Sequence, residues 1–528
     1  MNTGHPKKER GVQAPRRQRA SVDHHAPRTR GAGLAASSGR QVLLVPPHGV
    51  VRHFCLGLDG ADPLRPTPLS AGRATARTAP PPTYLTSIDP PDERTMQPDS
   101  PWRLPDFRAL FTSVALSQLG TNAGYVAVPL IAVSALDASP GQVGALATLS
   151  TVAFLLIGLP AGAWVDRMRH RRVLIAADLT RALVFATVPV AWWLDSLTLG
   201  HLYLVVLLSG CATVFADVGS QSVLPQLVGR EGLVRANADI NTLMAAGNVA
   251  GRGAGGGLVT LLTAPVAVLF TAVSYLGSAL GLTGIRRTPA PPSPSPGQAT
   301  RLRAQIAEGL RHVFGNGELR ALALTAALGN FGSQIINTML PVVFVRELGY
   351  SGGALGLFWA VGGAGLLLGA RCARPVAARL GYGRTLGIAG LCLAPAGLLV
   401  PLVDHGPWLV VAGTGWLLAM FKVGMDNVLG VSLRQRMTAH SLLGRMNATF
   451  RFLLTGALAI GAAVSGVVGE LTTVHTTLWV GGAFLATAFL PVFFSPVRTR
   501  RALPEQRTQD TPARREPTAA TEPCPEPT

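Results

Sequence analysis

The sequence predicts an all-α membrane protein with twelve transmembrane helices in two pseudo-symmetric six-helix bundles. Three observations predict it. The 528 residues are 48% hydrophobic but only 14% charged, with a mean hydropathy of +0.34, whereas a soluble chain carries about a quarter charged residues. Twelve apolar runs follow one another, each near the roughly 20 residues that span a bilayer as helix. The third observation is a repeat. Leu233-Val234-Arg235-Ala236-Asn237-Ala238 matches Leu443-Gly444-Arg445-Met446-Asn447-Ala448 at an offset of 210, and the same offset pairs Gly251 with Gly461 and Gly256 with Gly466. Arg167 and Arg172 align with Arg379 and Arg384 two residues further on.

Residues 1–104 are rich in Arg, Pro, Gly and Ser and read as a disordered basic extension. Val42 to Val45 is too short for a signal-peptide core. Met96 opens a more ordinary membrane-protein start, and N-terminal sequencing of the native protein tests whether translation begins there. The first bundle is expected over 105–287, from runs at 107–134, 142–165, 172–194, 200–227, 236–261 and 264–285. A Pro-rich segment and the basic amphipathic stretch RLRAQIAEGLRHVFG form a connector over 288–316, its helix lying on the membrane surface. The second bundle is expected over 317–497, from runs at 320–345, 352–374, 384–403, 407–431, 444–469 and 474–495. The tail 498–528 is polar and Pro-rich, and reads as disordered.

Charge orients the chain. Arg167 to Arg172, Arg230 with Arg235, Arg286 to Arg311, Arg371 to Arg384 and Arg434 to Arg445 all fall on one side, while the opposite loops carry Asp137, Asp195, Arg346 with Glu347, and Asp404 with His405. Positive charge collects in cytoplasmic loops, so both termini are expected in the cytoplasm and the protein in the plasma membrane. The net charge of +19 sits in tails and loops. Topology and anionic lipid explain it, and no soluble basic domain is left over for nucleic acid. The five cysteines (Cys55, Cys211, Cys372, Cys392 and Cys524) show no paired spacing, so neither a metal site nor a disulfide framework is indicated.

The stretch Gly158 to Arg181 holds the most specific motif. Gly162, Asp166, Arg167 and Arg171 match, in register, the G-x-x-x-D-R-x-x-R-[KR] signature of the major facilitator superfamily. His170 stands where the signature has an arginine, and Arg172 follows. The chain resembles that family over about 105–497. The resemblance implies alternating access between two bundles, with Asp166 to Arg172 latching the cytoplasmic side. Within the family the chain looks most like the twelve-helix drug-efflux branch that includes macrolide and siderophore exporters. The stretch FADVGSQSVLPQLVGREGLVRANA is similar to that branch at Phe215, Asp217, Ser222, Leu224, Pro225, Leu233 and Asn237. Asp178 and Arg181 resemble its D-x-x-R pair. Gly247, Gly251, Gly255 and Gly256 are similar to the glycine motif of proton-coupled antiporters, with Arg252 in place of its proline.

An ionisable group at membrane depth needs a reason. Asp217 is the first candidate for the coupling proton; a structural carboxylate is the competing reading. Asp178 with Arg181, one turn apart, reads as a gate-stabilising pair. Lys422 and Asp426 share a helix face, and either couple to a proton or form a structural ion pair. Arg252 is a candidate for the cavity or for an anionic substrate. Gln118 and Asn122 on the first helix, and Asn330, Gln334 and Asn337 on the seventh, are candidates for substrate contact or for hydrogen bonding between helices. The small-xxx-small spacing of Gly247, Gly251 and Gly255 is sufficient for close helix packing.

No phosphate-binding G-x-x-x-x-G-K-[ST] loop is present, which argues against an ATP-driven pump. H-E-x-x-H is absent, and the match to G-x-S-x-G, Gly349 to Gly353, falls between two apolar helical runs rather than at the strand-to-helix turn a hydrolase needs, so no enzyme is indicated. The sequence therefore leads to a proton-driven exporter of small amphipathic compounds. It is expected to need no cofactor beyond a proton gradient and to act as a monomer in the bilayer. A siderophore or metabolite exporter, an uptake symporter, and a non-transporting sensor or assembly protein remain as alternatives.

Overall fold

In the computed structural model, residues 100–165, 168–286 and 298–501 are described, and they are helical with short connections and no strand. The membrane helices are α1 (Pro105–Ser134), α2 (Pro140–Val165), α3 (His170–Trp193), α4 (Leu199–Gly229), α5 (230–262) and α6 (Ala264–Thr283) in the first half. The second half holds α7 (Gly317–Glu347), α8 (Gly352–Leu380), α9 (Tyr382–Leu402), α10 (Pro407–Arg436), α11 (His440–Leu471) and α12 (Val474–Phe493). Among the described residues eleven of these are long and apolar enough to cross a membrane. The segment α5 is as long but carries Arg235, Asp239, Arg252 and a run of glycines.

Local chemistry sets the boundaries. Backbone N–H groups at a helix start lack intrahelical partners, and short polar side chains satisfy them. Thr198, Asn316, Ser351 and Thr473 do this for α4, α7, α8 and α12. The run Leu199–Leu262 is broken only at Gly229, whose φ of 68° and ψ of −179° suit glycine alone. The sequence suggests a loop between the fourth and fifth runs; the chain instead turns on that one residue, and helix resumes at once.

In the first half α6 packs on α1 and α3, and α4 on α2; in the second half α10 packs on α8, and α12 on α7. The largest apolar core includes Val126, Ile131, Phe185, Trp359 and Trp416. The connector helix, Gln298–Gly315, is amphipathic as expected and lies against the start of α11: Glu308 pairs with Arg445, and Gly309 abuts Thr449.

Candidate functional site

The two halves meet along two seams, α2 with α11 and α5 with α8. Near the end of the molecule that carries the α1–α2 and α7–α8 connections, glycine faces glycine in both. A Cβ on Gly144 would lie 2.3 Å from the Cα of Gly466, and one on Gly256 would lie 2.8 Å from the Cα of Gly356. Only bare backbone approaches so closely. The two contacts are copies of each other: Gly144 and Gly356 are 212 residues apart, and Gly256 and Gly466 are 210 apart.

Beyond each glycine contact, a side chain of one half caps a helix start of the other. The amide of Gly141 donates to Glu470 Oε2 at 2.8 Å, and the amide of Gly353 donates to Thr260 Oγ1 at 2.7 Å. These residues obey the same two offsets. Arg346 adds a cross-link at this end by donating to the Ala138 carbonyl at 2.9 Å.

Between the halves lies a cavity of about 430 Å³. Pro129 in α1 and Pro341 in α7, again 212 residues apart, sit in its wall. Tyr125, Phe154, Phe185, Tyr275 and Trp359 supply aromatic surface, and Gln334, Asn337 and Thr338 supply polar groups. Two buried polar atoms of lining residues have no protein partner, Trp359 Nε1 and Asn337 Oδ1. They are one unsatisfied donor and one unsatisfied acceptor within the cavity wall.

Asp217 of α4 and Arg451 of α11 reach across the seam and pair at 3.1 Å, with 48% and 41% of their side chains exposed to the cavity. The Arg451 guanidinium also lies 4.6 Å from the ring centre of Phe154 in α2. The sequence reading singled out Asp217 and missed Arg451. An arginine seven residues inside the apolar run 444–469, past Arg445 at its start, is the signal that marks it.

The other candidate residues separate into distinct surroundings. Gln334 and Asn337 line the central cavity, while Asn330 lines a second cavity inside the second half, beside the paired Lys422 and Asp426. Asn122 donates to the Gln118 carbonyl at 2.9 Å and packs against Gly247 and Gly251 of α5. Neither Gln118 nor Asn122 is among the lining residues of the central cavity. Gly255 abuts α1 at Ala123, whereas Gly256 faces the other half. Arg252 lies 4.4 Å from the ring centre of Tyr125, one of the aromatic lining residues.

Asp178 and Arg181 pair within α3 and are both nearly inaccessible; Ser278 donates to Asp178 at 2.6 Å, and Arg181 lies over Tyr275. Of the signature on α2 and α3, Gly162 falls in the last turns of α2, while Asp166 and Arg167 lie outside the described residues. Arg171 donates to the Leu282 carbonyl at 3.1 Å and to that of Thr283, the last carbonyls of α6. A cation there satisfies free carbonyls and the negative helix end together. Arg172 is exposed on the first turn of α3.

Two repeated bundles enclosing a central cavity are the architecture of a membrane transporter. The model of the Major Facilitator Superfamily matches residues 110–425, and the chain belongs to that family. An enterobactin exporter, EntS, of Salmonella choleraesuis is 27% identical over 385 residues, covering 72% of this chain and 89% of that relative. EntS of Escherichia coli is 28% identical over 376 residues, covering 70% and 86%. An MFS-type transporter of Sinorhizobium fredii, y4rN, is 26% identical over 373 residues, covering 69% and 89%. Among solved structures, the nucleoside transporter NupG superposes with a TM-score of 0.61 at 14% identity, covering 74% of this chain and 99% of that one. A bacterial homologue of the iron transporter ferroportin, in an inward-facing state, gives 0.59 at 18%, covering 73% and 97%. These two likenesses concern the fold.

Proposed function

We propose that the protein is a proton-driven exporter of small amphipathic compounds. The carrying observation is the central cavity, with aromatic walls and one carboxylate–guanidinium pair spanning its seam. With both termini in the cytoplasm, the glycine contacts close the outer end and the cavity is loaded from inside. Asp217 takes the proton. Substrate enters from inside while Asp217 is charged and paired with Arg451, and the loaded halves rock so that the outer seams open. A proton from outside then neutralises Asp217, the charge-assisted pair with Arg451 is released and substrate leaves. The protonated protein turns back and gives the proton up inside, so protons run in as substrate runs out. Asp178 serves as a structural partner of Arg181. The similarity to enterobactin exporters favours siderophores and related secondary metabolites among the compounds carried; macrolides and lipophilic cations are the other classes to test.

Inverted vesicles energised to an acidic interior, with a pH-sensitive dye, provide the test. A substrate added outside should release protons from wild-type vesicles, and Asp217→Asn should lower that release at least tenfold. Asp217→Asn should still exchange labelled for unlabelled substrate without a gradient, because binding and rocking remain. If no siderophore, macrolide or lipophilic cation moves protons through folded, inserted protein, export of these compounds is wrong. Gradient-driven flux in the opposite direction would instead identify an uptake symporter.

A further inference from the structure

The second half contains a cavity of its own, about 220 Å³, between α7, α9, α10, α11 and α12. It shares no lining residue with the central cavity. Its ionisable lining groups are Lys422, Asp426 and Arg434, two cations against one carboxylate. Lys422, 4% exposed, already holds Asp426 in an ion pair. Arg434 has no acidic partner among the described residues, and the ring of Phe450 covers it at 4.4 Å. Its Nε is buried without a hydrogen bond, and so is the hydroxyl of Thr325 opposite on α7, a residue only 6% exposed.

The balance of groups selects a ligand class. Lysine offers three donors, arginine five and threonine one, against a carboxylate that is already engaged. One cation, Arg434, half-buried in the last turn of α10, is left without a counter-charge beside walls formed by Leu322, Leu454 and Leu485. The end of α10 offers Arg434 some relief through its helix dipole, but that does not account for Nε and the Thr325 hydroxyl, which stay unpartnered. We propose that this cavity is a binding site for a small monovalent anion, chloride or carboxylate, held by Lys422, Arg434 and Thr325. A monovalent ion balances the single excess charge, and a divalent one reverses it. The space is several times the roughly 30 Å³ that a water occupies, so the ion enters with part of its hydration.

Thermal unfolding of the purified full-length protein tests this, followed by tryptophan fluorescence. Chloride and acetate are compared with the bulky anion of HEPES at equal ionic strength. Ligands that bind only the folded state raise the midpoint. A rise of about 2–4 °C is expected by 100 mM chloride or acetate. The more effective salt tells halide from carboxylate, and Arg434→Gln should lose the rise. Thr325→Val, an isosteric change, should weaken it and keeps the test open if Arg434→Gln does not fold. Equal midpoints in all three salts overturn the site. So does a rise that survives both substitutions or is lost in Arg451→Gln, since the anion then sits elsewhere.

Discussion

Asp178 and Asp217 are both carboxylates inside the membrane, and they are held differently. Asp178 is 3% exposed and saturated by Arg181 and Ser278. Asp217 has one partner, from the other half, and opens onto the cavity. Removing one member of a buried pair strands the other charge, which costs about 3–5 kcal/mol. Arg181→Met should therefore lower the thermal midpoint sharply, whereas Asp217→Asn should leave it nearly unchanged and act on coupling instead. Unfolding scans of the two variants side by side check the contrast, and equal losses would contradict it. The D-x-x-R spacing makes the first pair readable in sequence, because three residues is one helical turn. The second pair joins residues 234 apart. No local spacing encodes it, so only the acid drew notice. The face shared by Asn330, Gln334 and Asn337 was equally legible, but not its division between two cavities, which depends on where α10 and α11 pass.

At the scale of the element, Gly229 shows where hydropathy stops being informative. A sliding reading finds two apolar runs and leaves a loop between them. The chain spends one residue there, in a conformation open to glycine. Gly229→Ala should cost about 1–3 kcal/mol through backbone strain, even though a Cβ would meet nothing within 4 Å. A thermal midpoint unchanged from wild type would show that the turn relaxes to another conformation. The connector helix was legible for the opposite reason: its polar and apolar faces alternate with helical period, a local property. Its docking on α11 through Glu308 and Arg445 was not, because that contact again belongs to the tertiary fold.

At the scale of the whole molecule, the repeat in the sequence becomes a mechanical constraint. The offsets of 210 and 212 that first relate short motifs also relate Gly144 with Gly466 to Gly356 with Gly256, and the cap on Gly141 to the cap on Gly353. Each bundle is packed as one body, so the two seams are expected to open and close together. A bulky side chain in either seam should hold both open. Gly144→Val and Gly256→Val should each shift the population toward the state open at the glycine end. This can be read as at least a fivefold faster reaction of a Thr148→Cys probe, on α2 near the α2–α11 seam, with a membrane-impermeant thiol reagent in a background lacking native cysteines. The double variant should react no faster than the more affected single one, because one wedge already separates the bodies. Summed effects would mean instead that the seams open independently, with bundles that flex rather than rock. The wedge in α5 is the sharper test, since its substitution lies in the other seam from the probe and reaches it only through rigid motion of a whole half.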